Sequence, residues 1–500
     1  MSFAFITNNR NGPIQPLHTA SPDPVFANTL SAPRMAGGHN FLANAGMQIQ
    51  TEGPNPENHL LPIESLFDIE PAANTRPGFA PSNGVVKTVF MSYQQNRLDL
   101  LSEIQEILNS IDPEITLALY LSEYHPNGAD AREWEEISNS SLGNPPNVLY
   151  LPSEQHAPHL VNDPVGRFPE DGMTFGYDAY GNPVVFGISE DRLGEVRASS
   201  EQNEGQSLIN PKRSYEMANM TAKMIRGLKP RPLDFLTYGG DLHVATFHCS
   251  DSGEEIQKQF FGAETPFLAR QRIFSDPESL PDYLADLTLE QQTIYALAKV
   301  MEEIESIAGS ASEAFPLGAG DVTIGETLAT LSDSVLADMS PGVRQRLAAL
   351  GEYPLPMDFA GNLRLNYHVD VFMVPLTDNI VLVDEVMRDD PSIQILLDDD
   401  DIDVHFLPSR SYTGPSGMEL RTTYINMITI VHEEKTHVIL QRDSRDSNEL
   451  SELDIEVRDM LIELGVEPHF TGLSARTDQI SRDYGLNCLT ETASFRMRRR

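Results

Sequence analysis

The stretch from Val85 to Tyr120 decides the fold class, because three periodic segments follow one another in it with short links. Val85-Val-Lys-Thr-Val-Phe-Met91 is rich in β-branched and apolar residues and predicts a strand. Residues 98–111 repeat apolar side chains at helical spacing, and Asp112-Pro113 ends the predicted helix. Ile115-Thr-Leu-Ala-Leu-Tyr120 predicts a second strand. Strand, helix and strand in this order indicate an α/β protein.

Downstream, strand pairs and helices alternate several times. Strands are predicted at residues 147–151, 183–187, 242–247, 369–374, 380–383, 424–430 and 437–440, and helices at 213–228 and 454–464. Residues from about 253 to 350 are predicted to be a largely helical insertion, with helices at 283–307 and 324–339. The sequence contains neither Gly-x-Gly-x-x-Gly nor a Walker A motif, so it offers no glycine-rich phosphate loop.

Upstream, residues 1–83 show a different composition. Asn, Pro, Gly, Ser and Ala dominate there, and apolar residues are scattered without a period. Such a segment buries too little apolar surface to offset the entropy of ordering it. We therefore expect a disordered N-terminal extension over residues 1–83 and one folded domain over residues 84–500.

The charge of the chain narrows the classes of partner. With 74 acidic and 35 basic residues the formal net charge is -39. A nucleic-acid binder needs a basic face, and docking on anionic lipid needs cationic residues, so neither partner is expected. A negative field concentrates cationic ligands such as guanidinium groups or basic protein segments. Solubility alone is an equally good explanation of the charge.

Cysteine content and hydropathy bear on the compartment. Two cysteines form no disulfide framework, and their spacing indicates no zinc cluster or other metal site. No run of about 18 apolar residues predicts a membrane span. The first residues lack the basic and apolar segments of a secretory signal peptide. The expected location is the cytoplasm, or the exterior after export without such a peptide.

Cys488 is the candidate nucleophile. It lies in Asp483-Tyr-Gly-Leu-Asn-Cys-Leu-Thr490, a short segment that suits a strand or turn presenting one side chain. A thiolate attacks carbon centres once a positive neighbour or a bound cation lowers its pKa. The alternative is a buried free cysteine that packs as a small hydrophobe. The second cysteine, Cys249, is interpreted as a core residue.

His368, Asp370 and Asp171 complete the candidate site. On a strand, His368 and Asp370 would share a face, which suits an acid/base imidazole beside a carboxylate. Asp171 lies among Pro, Gly and Thr, where a loop could direct a carboxylate into a cleft. A structural His–Asp pair and a turn-capping Asp are the alternatives. Together the groups fit attack of a thiolate on a guanidinium held by two carboxylates.

Five short segments resemble the catalytic domain of protein-arginine deiminases, members of the guanidine-modifying or pentein superfamily. They are Arg167–Tyr177 with Pro183–Phe186, Gly239-Gly-Asp-Leu-His-Val244 against that family's Gly-Asn-Leu-Glu-Val, Tyr367-His-Val-Asp-Val-Phe372 against its Gly-His-Val-Asp-Glu-Phe, Asn426-Met-Ile428 against its Asn-Met-Val, and Tyr484-Gly-Leu-Asn-Cys-Leu-Thr490 against its Gly-x-x-His-Cys-Gly-Thr. Agmatine deiminase is similar at the same places and ends in His-Cys-Ile-Thr.

The resemblance implies a five-bladed α/β propeller of strand-strand-helix-strand units around an axial active site. It implies that Asp171 and Asp370 bind guanidinium, that His368 is the acid/base and that Cys488 is the nucleophile. Phe168 would line the substrate site, and Arg192 would hold the substrate backbone. The implied partners are an arginine-containing protein or peptide, or a small guanidino compound.

The resemblance also implies that calcium is a possible cofactor. Thr174 and Glu170 stand where the animal enzymes keep a calcium-binding glutamate and a glutamine. The acidic run at residues 398–401 could bind calcium, but a solvated charged loop is the favoured interpretation. The leading functional expectation is a hydrolase that converts peptidyl arginine to citrulline. An agmatine or free-arginine deiminase, an amidinotransferase, and an inactive pentein that serves as an interaction module remain open.

Overall fold

The computed structural model describes residues 66–70, 76–92, 98–121, 147–152, 173–189, 211–236, 241–309, 312–357, 369–413, 419–443, 449–474, 486 and 490–499. The strands are β1 (Phe67–Glu70), β2 (Gly78–Phe79), β3 (Thr88–Ser92), β4 (Thr116–Leu121), β5 (Val148–Pro152), β6 (Thr174–Tyr177), β7 (Pro183–Ile188), β8 (Ile225–Arg226), β9 (Lys229–Leu233), β10 (Leu242–His248), β11 (Glu255–Phe261), β12 (Glu313–Pro316), β13 (Met373–Pro375), β14 (Ile380–Asp384), β15 (Asp403–Leu407), β16 (Arg410–Thr413), β17 (Glu419–Thr422), β18 (Ile428–His432), β19 (Lys435–Arg442), β20 (Val466–Ser474), β21 (Thr490–Ala493) and β22 (Arg496–Arg499).

The α-helices are α1 (Leu98–Ile111), α2 (Pro211–Met224), α3 (Glu264–Ile273), α4 (Asp282–Ala285), α5 (Leu289–Ala308), α6 (Ile324–Leu328), α7 (Asp333–Ala337), α8 (Pro341–Ala349), α9 (Gln394–Leu397) and α10 (Glu452–Glu463). Short 3-10 helices lie at Val369–Val371, Glu385–Met387 and Pro391–Ile393. The protein is therefore a mixed α/β protein, as the sequence predicts. Its described strands form several small sheets, and none of these closes into a barrel.

Five of the sheets share one connectivity. In each, a first strand pairs antiparallel with a second strand, and a third strand pairs parallel with the second after helical residues. The units are β21-β3-β4 (unit 1), β6-β7-β9 (unit 2), β10-β11-β12 (unit 3), β13-β14-β15 (unit 4) and β18-β19-β20 (unit 5). The first strand of unit 1, β21, comes from the last described residues of the chain, whereas its other two strands, β3 and β4, lie within residues 88–121.

Hydrophobic clusters join the units in cyclic order. Four clusters pack unit 1 on unit 2, unit 2 on unit 3, unit 3 on unit 4 and unit 4 on unit 5. A fifth cluster contains Val89 and Met91 of β3 together with Ile428 and Ile430 of β18, and it packs unit 5 back on unit 1. Because strands between two such clusters are buried on both faces, their sequences are continuously apolar rather than alternating.

The segment at residues 78–87 touches all five units in turn. Its contacts are Phe79 with Gly176 of unit 2, Ser82 with Val244 of unit 3, Asn83 with Thr246 of unit 3 and with Leu376 just beyond the first strand of unit 4, Val85 with Val431 of unit 5, and Lys87 with Ala493 of unit 1. A chain of this length spans at most roughly 35 Å. The five first strands therefore lie close to one short segment, and most of its contacts fall toward their carboxyl ends.

Two short stretches correct the expectation of an unstructured region over residues 1–83. Phe67–Glu70 forms β1, which pairs with β22 and β8, and Gly78–Phe79 forms β2, which pairs with β6. Both strands are too short to show a period, and their partners are far away in the sequence. Local pattern therefore could not reveal them. The residues before 66 lie outside the described part of the chain.

The predicted helical insertion at residues 253–350 also needs correction. This range contains two strands of unit 3, β11 near its start and β12 in its middle. Helices lie between the two strands and after the second one. Lys258 and Gln259 are buried polar residues in β11, so that strand lacks the apolar pattern of a buried strand. Each long predicted helix is two helices in the structure: 283–307 is α4 and α5, and 324–339 contains α6 and α7. The second helix of each pair begins at an N-cap, Thr288 or Ser332, whose side chain accepts a backbone hydrogen bond.

Candidate active site

The structure describes one of the predicted site residues. Asp370 is described, whereas five others lie outside the described residues: Phe168, Asp171, Arg192, His368 and Cys488. The roles expected for these five therefore stay predictions. The structure does describe the elements that follow three of them in the sequence: β6 after Asp171, the 3-10 helix at Val369–Val371 after His368, and β21 after Cys488.

Asp370 lies in the 3-10 helix Val369–Val371 just before β13. This corrects the predicted strand over residues 369–374, so strand alternation cannot be used to place His368 and Asp370 on one face. The Asp370 side chain is buried, and its Oδ2 accepts a hydrogen bond from Asn426 Nδ2 at 2.8 Å. Asn426 Nδ2 also reaches the Asp370 carbonyl at 3.4 Å, so this amide links the starts of β13 and β18. A buried carboxylate oriented by a donor is the form that bidentate cation recognition needs.

Each of the five segments quoted from the sequence has a polar residue shortly before the first strand of a unit. Asp171, Asp241, Asp370, Asn426 and Cys488 each precede the first strand of a different unit by three residues or fewer. Three of these residues are described, and Asp241, Asp370 and Asn426 lie at the amino ends of β10, β13 and β18.

Leu486 and Thr490, which stand two residues before and two residues after Cys488 in the sequence, are both buried. Leu486 is fully buried in the cluster that joins unit 5 to unit 1. Thr490 begins β21 and pairs with Met91 of β3.

Strands β6 and β21 lie side by side in a definite register. The Thr174 hydroxyl donates to Glu491 Oε1 at 3.3 Å, and the hydroxyls of Tyr177 and Ser494 are 2.5 Å apart. Both pairs are separated by 317 residues in sequence, so the two strands run in the same direction. The Thr174 hydroxyl thus bonds to a carboxyl of its own chain.

Two buried titratable groups near these strand starts had been given no role from the sequence. Burial raises the pKa of Glu491 well above its usual value of 4.5, although hydrogen bonds from the Thr174 side chain and the Phe175 backbone oppose the rise. The residue as a whole keeps some exposed surface, and its carboxyl group is the buried part. Burial lowers the pKa of His243 in β10 to about 4, which keeps this imidazole neutral near pH 7. No local pattern in the sequence reveals such burial.

Asp241 has a structural role. It is fully buried, and its carboxylate accepts hydrogen bonds from the backbone N–H groups of Gly262 and Thr265 at 3.0 and 2.9 Å. The Thr265 hydroxyl donates to the same carboxylate at 2.5 Å. These contacts fix the start of α3 against the start of β10.

The acidic run at residues 398–401 surrounds a cation that belongs to the chain. Lys258 Nζ lies 2.8 Å from Asp399 and 2.8 Å from Glu313, and 3.8 Å from Asp401. Burial opposes protonation of Lys258, but the hydrogen bonds to Asp399 and Glu313 outweigh it and raise its pKa. The ammonium of Lys258 is therefore the counter-ion of Asp399 and Asp401 within the chain. Asp399 and Asp401 are partly buried, whereas Asp398 and Asp400 are exposed.

Cys249 is partly exposed, which corrects its interpretation as a core residue. It follows β10 in a turn closed by the hydrogen bond from Gly253 N–H to its carbonyl. The side chain and backbone of Ser252 hydrogen-bond to the sulfur and lower the pKa of the thiol.

Comparison with known proteins gives a distant likeness. No protein-family profile and no curated protein sequence matches the chain. A solved structure described as "a putative peptidyl-arginine deiminase" is similar at 12% sequence identity with a TM-score of 0.40, over 83% of this chain and 98% of that one. A superposition this loose carries no argument about activity. Among the described helices, none is both long enough and apolar enough to cross a bilayer.

Proposed function

We propose that the chain is an amidine hydrolase of the deiminase type that converts the guanidinium of peptidyl arginine to a ureido group and releases ammonia. We propose with it that the five units form a five-bladed α/β propeller with the reaction at the amino ends of the first strands. The cyclic packing of units and the common position of the five polar residues support this arrangement.

The register of β6 and β21 is the observation that carries the proposal. Thr174 faces Glu491 and Tyr177 faces Ser494 at a constant offset of 317 residues. The same offset relates Asp171 to Cys488. If the register continues for three residues beyond the strand starts, the candidate carboxylate and the candidate thiol become neighbours. Neither sequence segment alone predicts that relation.

The proposed reaction assigns each group one task. The carboxylates of Asp171 and Asp370 hold the planar guanidinium, and the Cys488 thiolate adds to its central carbon. Protonated His368 gives its proton to the departing amine, so ammonia leaves and a thiouronium remains on sulfur. Neutral His368 then takes a proton from water, which adds to the same carbon. The carbon–sulfur bond breaks as the hydroxyl of the adduct loses its proton to solvent water, and the ureido product and the thiolate are released.

A citrulline colour assay tests the proposal with three substrates: an arginine peptide, free arginine and agmatine. We expect the highest kcat/KM with the peptide and loss of at least about 10³-fold in Cys488→Ala, because removal of a nucleophile leaves only binding effects. Cys249→Ala is the matched control and should keep the parent rate. Preference for agmatine or free arginine would move the assignment to those enzymes, and amidine transfer to an added amine would indicate an amidinotransferase.

Absence of product from all three substrates would contradict the proposal and favour the interaction module. Labelling with a haloacetamidine separates the two outcomes further. An active site that binds guanidinium should make Cys488 react faster than Cys249, even though hydrogen bonds lower the pKa of Cys249. Equal labelling of both thiols would count against a catalytic cysteine.

A further inference from the structure

Three potential metal ligands converge where β19 and β20 begin. The parallel register pairs His437 with Glu467 and Ile439 with His469. Since paired residues and residues two apart lie on the same face of a sheet, the side chains of His437, Glu467 and His469 all project from one face. The pairing of β19 and β20 thus builds a two-histidine, one-carboxylate group from residues in two separate segments.

The distances between the ligand atoms match a tetrahedral metal site. His437 Nδ1 lies 3.2 Å from His469 Nε2 and 3.7 Å from Glu467 Oε2, and the three ligand atoms lie within 4.8 Å of one another. Zinc–nitrogen bonds of about 2.0–2.1 Å at a tetrahedral angle place two ligands about 3.4 Å apart. Without an ion, the 3.2 Å contact serves as a hydrogen bond between two neutral imidazoles.

The surroundings are dry on one side and open on the other. The His437 side chain is 9% exposed, whereas that of Glu467 is 55% exposed. Ile439 on the same face is fully buried in the cluster that joins unit 5 to unit 1. Three ligands at the edge of a core leave a fourth coordination position toward water.

The other charged groups near the site do not occupy it. His432 Nδ1 lies 3.3 Å from Asp112 Oδ2, which also receives Lys87 Nζ at 3.4 Å. Lys435 begins β19 two residues before His437 and has an exposed side chain. His437 pairs with Ile430, near the carboxyl end of β18, whereas Asn426 precedes the amino end of that strand. The group is therefore separate from the residues around Asp370.

We propose that His437, Glu467 and His469 bind one Zn²⁺ ion, with a water molecule in the fourth position. Two imidazoles and a carboxylate suit zinc and its borderline neighbours rather than calcium or magnesium, which prefer oxygen ligands alone.

Isothermal titration of the metal-free full chain with Zn²⁺ tests this proposal. We expect one tight equivalent that disappears in His437→Ala and in His469→Ala. Glu467→Gln should weaken it at least about tenfold, and because the Glu467 side chain is largely exposed, this variant leaves packing intact. The matched control is His405→Ala, since His405 Nε2 lies 2.9 Å from Asp403 but belongs to no three-ligand group among the described residues.

Co²⁺ provides a second readout that is independent of affinity. The parent and His405→Ala should show the intense visible bands of tetrahedral Co²⁺, and His437→Ala should not. Identical zinc stoichiometry and identical Co²⁺ spectra in the parent, His437→Ala and Glu467→Gln would overturn the proposal, as would the absence of any tight equivalent in the parent.

Discussion

The carboxyl group of Glu491 is kept from water beside the Thr174 hydroxyl, and its raised pKa links stability to pH. In the unfolded chain this carboxyl loses its proton near pH 4.5, whereas in the folded chain it holds the proton to higher pH. Between these two pKa values the folded state binds more protons than the unfolded state. The free energy of unfolding therefore falls as pH rises through that window, and the contribution of Glu491 is fully present only below it.

Glu491→Gln removes this proton linkage while keeping a hydrogen-bonding side chain. Relative to the parent, the variant should gain stability as pH rises above the usual carboxyl pKa, by at most about 1.4 kcal/mol per pH unit. Urea unfolding at several pH values measures the effect. Glu254→Gln, at an exposed position, should keep the pH dependence of the parent. Parallel stability curves for Glu491→Gln and the parent would show that the carboxyl is not desolvated.

At the scale of single residues, the sequence predicts which side chains could take part in a reaction better than it predicts what each side chain contacts. Asp370 could be named because His-x-Asp is a recognisable motif, but its 3-10 conformation and its bond to Asn426 depend on a segment 56 residues away. The relation of His437 to His469 arises from the parallel pairing of β19 with β20. Such partners cannot be read from either segment because spacing in the sequence says nothing about strand register.

At the scale of elements, periodic segments were predictable and short or polar ones were not. Helix Leu98–Ile111 has the predicted bounds because its apolar residues repeat at helical spacing over several turns. Strand Glu255–Phe261 escaped prediction because Lys258 is buried within it as an ion pair. The alternation of strand pairs with helices was predicted from the sequence pattern, whereas the strand-strand-helix-strand unit was expected only from the family resemblance.

The 78–87 segment is the element that ties the units together, and Asn83 makes its densest contacts. Asn83 Nδ2 donates to the carbonyls of Thr246 and Leu376 at 3.0 and 2.8 Å, and its Oδ1 accepts from Thr246 N–H at 3.0 Å. All three bonds are lost in Asn83→Ala, which leaves buried backbone groups unpaired. We expect the free energy of unfolding to fall by about 3 kcal/mol or more.

Chemical denaturation of Asn83→Ala and of a matched variant, Ser82→Ala, measures this effect. Ser82 Oγ makes one hydrogen bond, to the Val244 carbonyl at 2.9 Å, so its loss should cost only about 1 kcal/mol. Equal stabilities of the two variants would argue against the segment as the tie between units 3 and 4.

At the scale of the whole molecule, the end of the chain completes the cycle of units. Phe495 is buried, and its ring lies 5.2 Å from that of Phe175 in unit 2 and 6.4 Å from that of Phe90 in unit 1. Strand β21, a few residues earlier, supplies the first strand of unit 1. The candidate nucleophile segment ends at Thr490, which is the first residue of β21, so in the sequence it adjoins the strand that completes unit 1.

The net charge of -39 is a property of the whole molecule that should act on the substrate before binding. A field of one sign raises the local concentration of an oppositely charged ligand, and salt screens it over a Debye length that falls from about 10 Å at 0.1 M to about 3 Å at 1 M. For a cationic arginine peptide we expect KM to rise about tenfold between low salt and about 0.5 M salt, with kcat nearly unchanged. The control is a peptide with the same arginine but with flanking glutamates that bring its net charge near zero, and its KM should change much less with salt. Steady-state citrulline assays at increasing NaCl measure KM and kcat for the two peptides. If the two peptides respond alike, the acidic surface serves solubility and does not recruit substrate.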